Sequence, residues 1–255
     1  MDYKNINYKK KSLPLLNPLC VALDVDDKKS CLKLVDEIGD VAGGYKVGPR
    51  LILREGSSLI TTIAKTAPVF LDFKFFDIPS TMVSAVKAGF DAGASLVTVH
   101  AQAGIEALSQ LAILEQEYQK TKPVKILAVT ILTSFDEKTL PSILKTQSIQ
   151  THVHELVNLV QQSGLTGVVC SPHELSSLHE IEQFNSMYFV TPGIRGATSN
   201  QLNSMNANQL QDQKRVMSAK EAIELGASGL VVGRPIIESK NPREEALKYS
   251  ISIFE

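Results

Sequence analysis

Pro68-Val69-Phe70-Leu71-Asp72-Phe73-Lys74-Phe75-Phe76-Asp77-Ile78-Pro79 is the stretch on which the fold turns. Residues Pro68–Phe73 form a short, nearly continuous apolar run, the pattern of a parallel strand covered on both faces. Asp72 and Lys74 stand two apart, on one face of the strand if it continues. Asp77 comes just before Pro79, which suits the first turn of a following helix. A strand that ends in charges and leads directly into a helix is one βα unit.

Working outward, the same unit recurs. Strand candidates are Leu19–Val25, Gly43–Val47, Ser95–His100, Lys125–Ile131, Gly167–Cys170, Ser186–Thr191 and Ser228–Val232. Amphipathic stripes lie between them: Met82, Val83, Val86 and Phe90 in one, Val153, Leu156, Val157 and Val160 in another. Gly93, Gly164 and Gly226 fall where those helices should stop. Eight strand–helix alternations in a chain of 255 residues fit an α/β fold of the (β/α)8 TIM-barrel type, in a single domain. A doubly wound open sheet gives a similar rhythm. No G-x-G-x-x-G follows the first strand, however, and there is no Walker A motif. We read 1–18 as an N-terminal arm and 19–255 as the barrel. The longest polar segment, Gly196–Gln213, is rich in Asn, Gln and Ser, and a loop of that length is usually functional or disordered.

Composition narrows the partners. A formal net charge of -1 argues against nucleic acid or an anionic membrane as partner, so any phosphate site must be local. Cys20, Cys31 and Cys170 have no metal-like spacing, and their odd count argues against a disulfide framework; Cys20 and Cys170 read as small buried hydrophobes. The apolar stretch near Leu13 to Leu16 is too short and Pro-interrupted for a signal peptide or membrane span, so a cytoplasmic setting is expected.

The strand ends carry the polar groups: Asp24, Lys46, Asp72 with Lys74, His100, Thr133, Ser171, Arg195 and Arg234. Barrel enzymes collect their functional residues at those ends. Charges at several successive apolar strand ends are costly unless they pair or meet a ligand. A lysine between the carboxylates of Asp72 and Asp77 is held as ammonium, which suits a proton donor and opposes a Schiff-base nucleophile. Taken alone, the triad could also be a salt bridge tying the strand to the helix. His152 and His154, two apart on a helix, face away from each other and do not read as a metal pair. His100 reads as a hydrogen-bonded floor residue. Ser171 reads as a helix N-cap, with Pro172 at the first helical position.

The run D-F-K-F-F-D-I-P-S-T, Asp72 to Thr81, resembles the signature of the orotidine 5'-phosphate decarboxylase family, in its bacterial form. The resemblance continues through Leu23-Asp24, Lys46-Val47-Gly48, Thr130 to Ser134, Thr191 to Arg195, Asp212 to Arg215 and Val232 to Pro235. It implies decarboxylation of orotidine 5'-phosphate to UMP, the last step of de novo pyrimidine synthesis, without cofactor or metal. By the same resemblance, Lys46, Asp72, Lys74 and Asp77 form an alternating charged network. Lys74 protonates pyrimidine C6, and Asp72 crowds the departing carboxylate. Asp24 and Lys46 hold ribose hydroxyls, Thr133 meets the pyrimidine edge, and Arg195, Gln213, Gly233 and Arg234 grip the phosphate. A homodimer with shared sites is implied, Asp77 and Thr81 reaching into the partner's. Where bacterial relatives often have Pro and Gly, this chain has Gly196-Ala197-Thr198, within a segment longer than expected.

Two other readings compete. A sister group of sugar-phosphate decarboxylases and aldolases shares the Asp-x-Lys-x-x-Asp run but uses Mg²⁺, with an acidic ligand where this chain has Lys46. A lysine there opposes Mg²⁺ binding. A barrel that binds a phosphorylated ligand without turnover is the other, and it gains nothing from a carboxylate set against an anionic ligand.

Overall fold

The structure, a computed structural model, describes residues 14–197 and 216–254. Eight strands close into a parallel barrel in chain order: β1 Leu19–Ala22, β2 Gly44–Val47, β3 Val69–Phe75, β4 Leu96–His100, β5 Lys125–Val129, β6 Gly167–Val169, β7 Tyr188–Thr191 and β8 Gly229–Val232. β8 returns to β1 through Leu19↔Leu230, Cys20↔Val231 and Val21↔Val232, which leaves no free sheet edge. Each strand falls within, or overlaps, a run read from the sequence. β3 alone extends past its expected end, by two residues, and these include Lys74.

Alternation along the strands separates two apolar layers. Cys20, Ala22, Phe70, Leu96, Leu127, Val129, Val169, Tyr188, Val190 and Val231 turn inward and fill the barrel. Leu19, Val21, Val69, Leu71, Val97, Val99, Ile126 and Val168 turn outward against the helices. Because both faces are covered, the strands read as unbroken apolar runs.

The helices include α1 (Lys28–Ile38), α2 (Pro49–Glu55), α3 (Ser58–Ile63), α4 (Pro79–Asp91), α5 (Gly104–Gln119) and α6 (Ile149–Gln162). α4 buries Met82, Val86 and Phe90, and α6 buries Val153, Val157 and Val160, as their stripes predict. Gly93, Gly164 and Gly226 all take positive φ beyond helix ends, where a side chain would be strained. Ser171 caps a 3-10 turn over Pro172–Glu174 through a capping box with Glu174. His152 Nε2 bonds the Leu144 carbonyl and His154 Nε2 meets Ser177 Oγ, so the two imidazoles serve different neighbours. Cys20, Cys31 and Cys170 are all buried. No helix among the described residues is long and apolar enough to cross a membrane.

The described end of the N-terminal arm is built into the barrel. Leu15 is buried with the interior residues at the end of the barrel opposite the charges. The Leu16 N–H donates to Gly43 O, the Leu230 N–H donates to Pro18 O, and Asn17 Nδ2 donates to Val41 O. The chain passes so closely that a Cβ on Gly43 would fall 1.9 Å from Asn17 O, and one on Gly44 would meet Leu15 Cδ2 at 2.6 Å and the backbone Pro68 O at 2.9 Å. These approaches require glycine at both positions.

Candidate active site

At the C-terminal mouth, where the interior layer ends, the inward positions turn polar. Asp24 follows Ala22, Lys46 follows Gly44, and Asp72 and Lys74 follow Phe70. Together they line a cavity of about 730 Å³, which also includes Leu132, Thr133, Pro192, Arg195, Gly233 and Arg234. That volume lies within the usual range for small-molecule sites.

The charges form a chain of alternating sign. Lys46 Nζ lies 3.2 Å from Asp24 Oδ1 and 3.4 Å from Asp72 Oδ2, and Lys74 Nζ donates to Asp72 Oδ1 at 2.8 Å. Burial favours the neutral acid at Asp72. The cations of Lys46 and Lys74, with hydrogen bonds from Lys74 and Thr98, outweigh it and hold the carboxyl below its usual range. Burial likewise works against the Lys46 ammonium, but Asp72 and Asp24 outweigh it and raise its pKa. Asp72 is therefore an anion and Lys46 a cation at neutral pH, set in a partly desolvated place.

The local backbone departs from a plain strand. Between the pairs Leu71↔Val97 and Phe75↔Val99, β3 advances four residues while β4 advances two, a bulge. Lys74 takes φ +50, the only positive φ outside glycine among the described residues. For an ordinary residue that conformation costs about 1–2 kcal/mol. The expected juxtaposition of Asp72 and Lys74 occurs, on a strained bulge rather than on regular strand alternation. Thr98 of β4, fully buried, accepts from the Lys74 N–H at 2.9 Å and donates to Asp72 Oδ1 at 3.0 Å. Sequence reasoning passed over Thr98, although one polar residue in Leu96-Val97-Thr98-Val99 was a usable signal.

Other expected site residues divide into three groups. Thr133, Arg195, Gly233 and Arg234 line the cavity. Arg195 follows β7, four strands from β3 and so across the closed barrel from Lys74, and it is buried. Gln213 lies outside the described residues. Asp77 and Thr81 are exposed and do not line the cavity; Asp77 Oδ1 accepts from the Ile78 N–H instead, two residues ahead of the helix that starts at Pro79. His100 corrects an expectation. Its Nδ1 is buried without a hydrogen-bond partner among the described residues, and its ring packs on Phe76 at 5.4 Å between centroids. Burial first, and then the Lys74 charge, lower its pKa, so it stays neutral at pH 7.

Known proteins share this arrangement of sequence and fold. Residues 17–249 match the orotidine 5'-phosphate decarboxylase / HUMPS family. A protein named orotidine 5'-phosphate decarboxylase from Mannheimia succiniciproducens is 36% identical over 240 residues, 93% of this chain and 97% of its own length. One of the same name from Carboxydothermus hydrogenoformans is 40% identical over 235 residues, 91% of this chain and 93% of its own. The crystal structure of orotidine 5'-phosphate decarboxylase from Lactobacillus acidophilus superposes with a TM-score of 0.77 at 29% identity, covering 93% of this chain and 99% of that one. With a closed eight-stranded barrel and matches over nearly its whole length, the chain belongs to the orotidine 5'-phosphate decarboxylase / HUMPS family.

Proposed function

We propose that this chain decarboxylates orotidine 5'-phosphate to UMP without cofactor or metal, in the cytoplasm, as the last step of de novo pyrimidine synthesis. The observation that carries the proposal is Lys46 Nζ, seated 3.2 Å from Asp24 and 3.4 Å from Asp72. An ammonium between those two carboxylates occupies the place where the Mg²⁺-dependent branch needs a hard oxygen ligand. This favours the decarboxylase branch over the sugar-phosphate enzymes.

The chemistry follows from the charges. The C6–carboxylate bond breaks, CO₂ leaves without the bonding electrons, and the pair stays on C6. Lys74 Nζ–H delivers the proton to C6, and solvent reprotonates the amine. A fixed cation beside C6 stabilises the carbanion as it forms. Asp72 repels the substrate carboxylate, by about 4 kcal/mol at ~4 Å and an effective dielectric near 20. Enzymes commonly lower barriers by about 8–23 kcal/mol, so repulsion alone falls short. Lys74 and binding energy at the phosphate supply the rest. Arg195, across the barrel from Lys74, holds that phosphate with Gly233 and Arg234; the family resemblance gives Gln213, outside the described residues, the same role. Asp24 and Lys46 take the ribose hydroxyls, and Thr133 meets the pyrimidine edge.

The working unit is a homodimer with shared sites, Asp77 and Thr81 serving the partner's cavity. Both are exposed outside their own cavity, and Phe76 and Ile78 beside Asp77 expose 60% and 64% of their surface. Large apolar side chains on that loop suit burial against a second copy. The test of activity is loss of orotidine 5'-phosphate absorbance on adding purified protein in EDTA. Turnover is expected, and none under those conditions would overturn the reading.

A further inference from the structure

The bulge in β3 leaves Thr98 as the single β4 residue between Val97 and Val99, opposite Asp72, Phe73 and Lys74. The Lys74 N–H donates not to a strand carbonyl but to Thr98 Oγ1, at 2.9 Å. A hydroxyl has one proton to give. Two acceptors are in reach, Asp72 Oδ1 at 3.0 Å and Leu71 O at 3.5 Å. The nearer, ionised one is the stronger partner. Thr98 therefore links the backbone of Lys74 to the carboxylate that Lys74 Nζ itself contacts at 2.8 Å. It is fully buried and does not line the cavity. The inward neighbour two residues before it, Leu96, is apolar, so the interior has no general need of a hydroxyl there.

We infer that Thr98 is a positioning residue: its hydroxyl holds Lys74 in the left-handed conformation that sets the ammonium against Asp72. The inference rests on the reading of Lys74 as proton donor. A left-handed non-glycine residue persists only where its surroundings over-determine it. The bond from the Lys74 N–H to Thr98 is the contact that does so. Without the hydroxyl, Lys74 relaxes toward ordinary strand geometry, and its Nζ moves from the reacting carbon. Substrate contacts elsewhere in the cavity are untouched, so the defect belongs to the chemical step.

Thr98→Val keeps the shape and removes both hydrogen bonds. Its kcat for orotidine 5'-phosphate should fall by ~10²-fold, the scale of a 1 Å misplacement, with KM little changed. The acid limb of the kcat–pH profile should move upward, because Asp72 loses a donor to its charged form. Thr98→Ser keeps the hydroxyl and should restore both. If Thr98→Val does not fold, Thr98→Ala, which introduces no new contact, takes its place. Unchanged kcat in the hydroxyl-less variant, a change confined to KM, or an equal fall in Thr98→Ser would each overturn the inference. Lys74→Ala, assayed alongside, separates the two ideas. Turnover there defeats the proton-donor reading, whereas an inactive Lys74→Ala beside a fully active Thr98→Val defeats only the role of Thr98.

Discussion

Lys46 Nζ stands 3.4 Å from Asp72 Oδ2, and the two side chains are only 12% and 14% exposed. Each keeps the other charged against burial. The folded pKa of Asp72 lies below its unfolded value of 3.8, so its stabilisation is present above that value and is lost as pH falls through the lower folded pKa. Lys46 is raised above 10.5, so its contribution is present below 10.5 and is lost as pH rises through the higher folded pKa. Lys46→Met leaves Asp72 with the Lys74 ammonium and the Thr98 hydroxyl but without its second cation. The variant should lose about 1.5–3 kcal/mol at pH 7. That is less than the ~3–5 kcal/mol of a buried charge left with no partner. Its Asp72 protonates more readily than the wild-type carboxyl, so the deficit should shrink as pH is lowered toward and below 3.8. Urea unfolding from pH 7 down to about pH 3 measures it, and a deficit that stays constant over that whole range contradicts the pairing.

Arg234 lines the cavity at the end of β8, away from Asp72 and Lys74. If it grips the phosphate, Arg234→Ala should mainly raise KM for orotidine 5'-phosphate. Losing one charge-assisted hydrogen bond worth about 1.5–3 kcal/mol corresponds to roughly 10–100-fold in kcat/KM. Steady-state kinetics decide it, and an unchanged KM would mean that the phosphate lies elsewhere.

Lys74 lines the cavity of its own chain, whereas Asp77 does not. If Asp77 completes the neighbour's site, Lys74→Ala and Asp77→Asn should each be nearly inactive alone. Subunits exchanged between them should form some two-fold dimers with one intact site. About a quarter of wild-type activity is then expected at equal mixing, since half the dimers are mixed and each has one good site of two. Mixing under conditions where subunits exchange, followed by assay, makes the comparison. No recovery would assign Asp77 to its own chain.

These tests fall on features that were unequally legible in the sequence. The barrel was readable because strands covered on both faces must be apolar throughout, and the eight runs stand out between polar loops. Lys46, Asp72 and Lys74 were readable because charge at the end of such a run has few bland explanations. The bulge at Lys74 was not readable, since a positive φ at lysine follows from Thr98 across the sheet and leaves no mark in Asp72-Phe73-Lys74 itself. Nor was the lone Nδ1 of His100, which depends on how Phe76 covers the ring. Leu15 read only as part of an N-terminal arm because nothing local shows that it packs into the barrel.

The proposed role of Lys74 is to deliver the proton to C6, with Asp72 in direct contact with it and Lys46 keeping Asp72 ionised. It is tested most directly by measuring kcat and UMP affinity of Lys74→Ala side by side. The predicted result is a fall in kcat of ~10³-fold or more with UMP still bound, because the lost group acts on the transition state rather than the ligand. Substantial residual turnover with the same UMP affinity would contradict it.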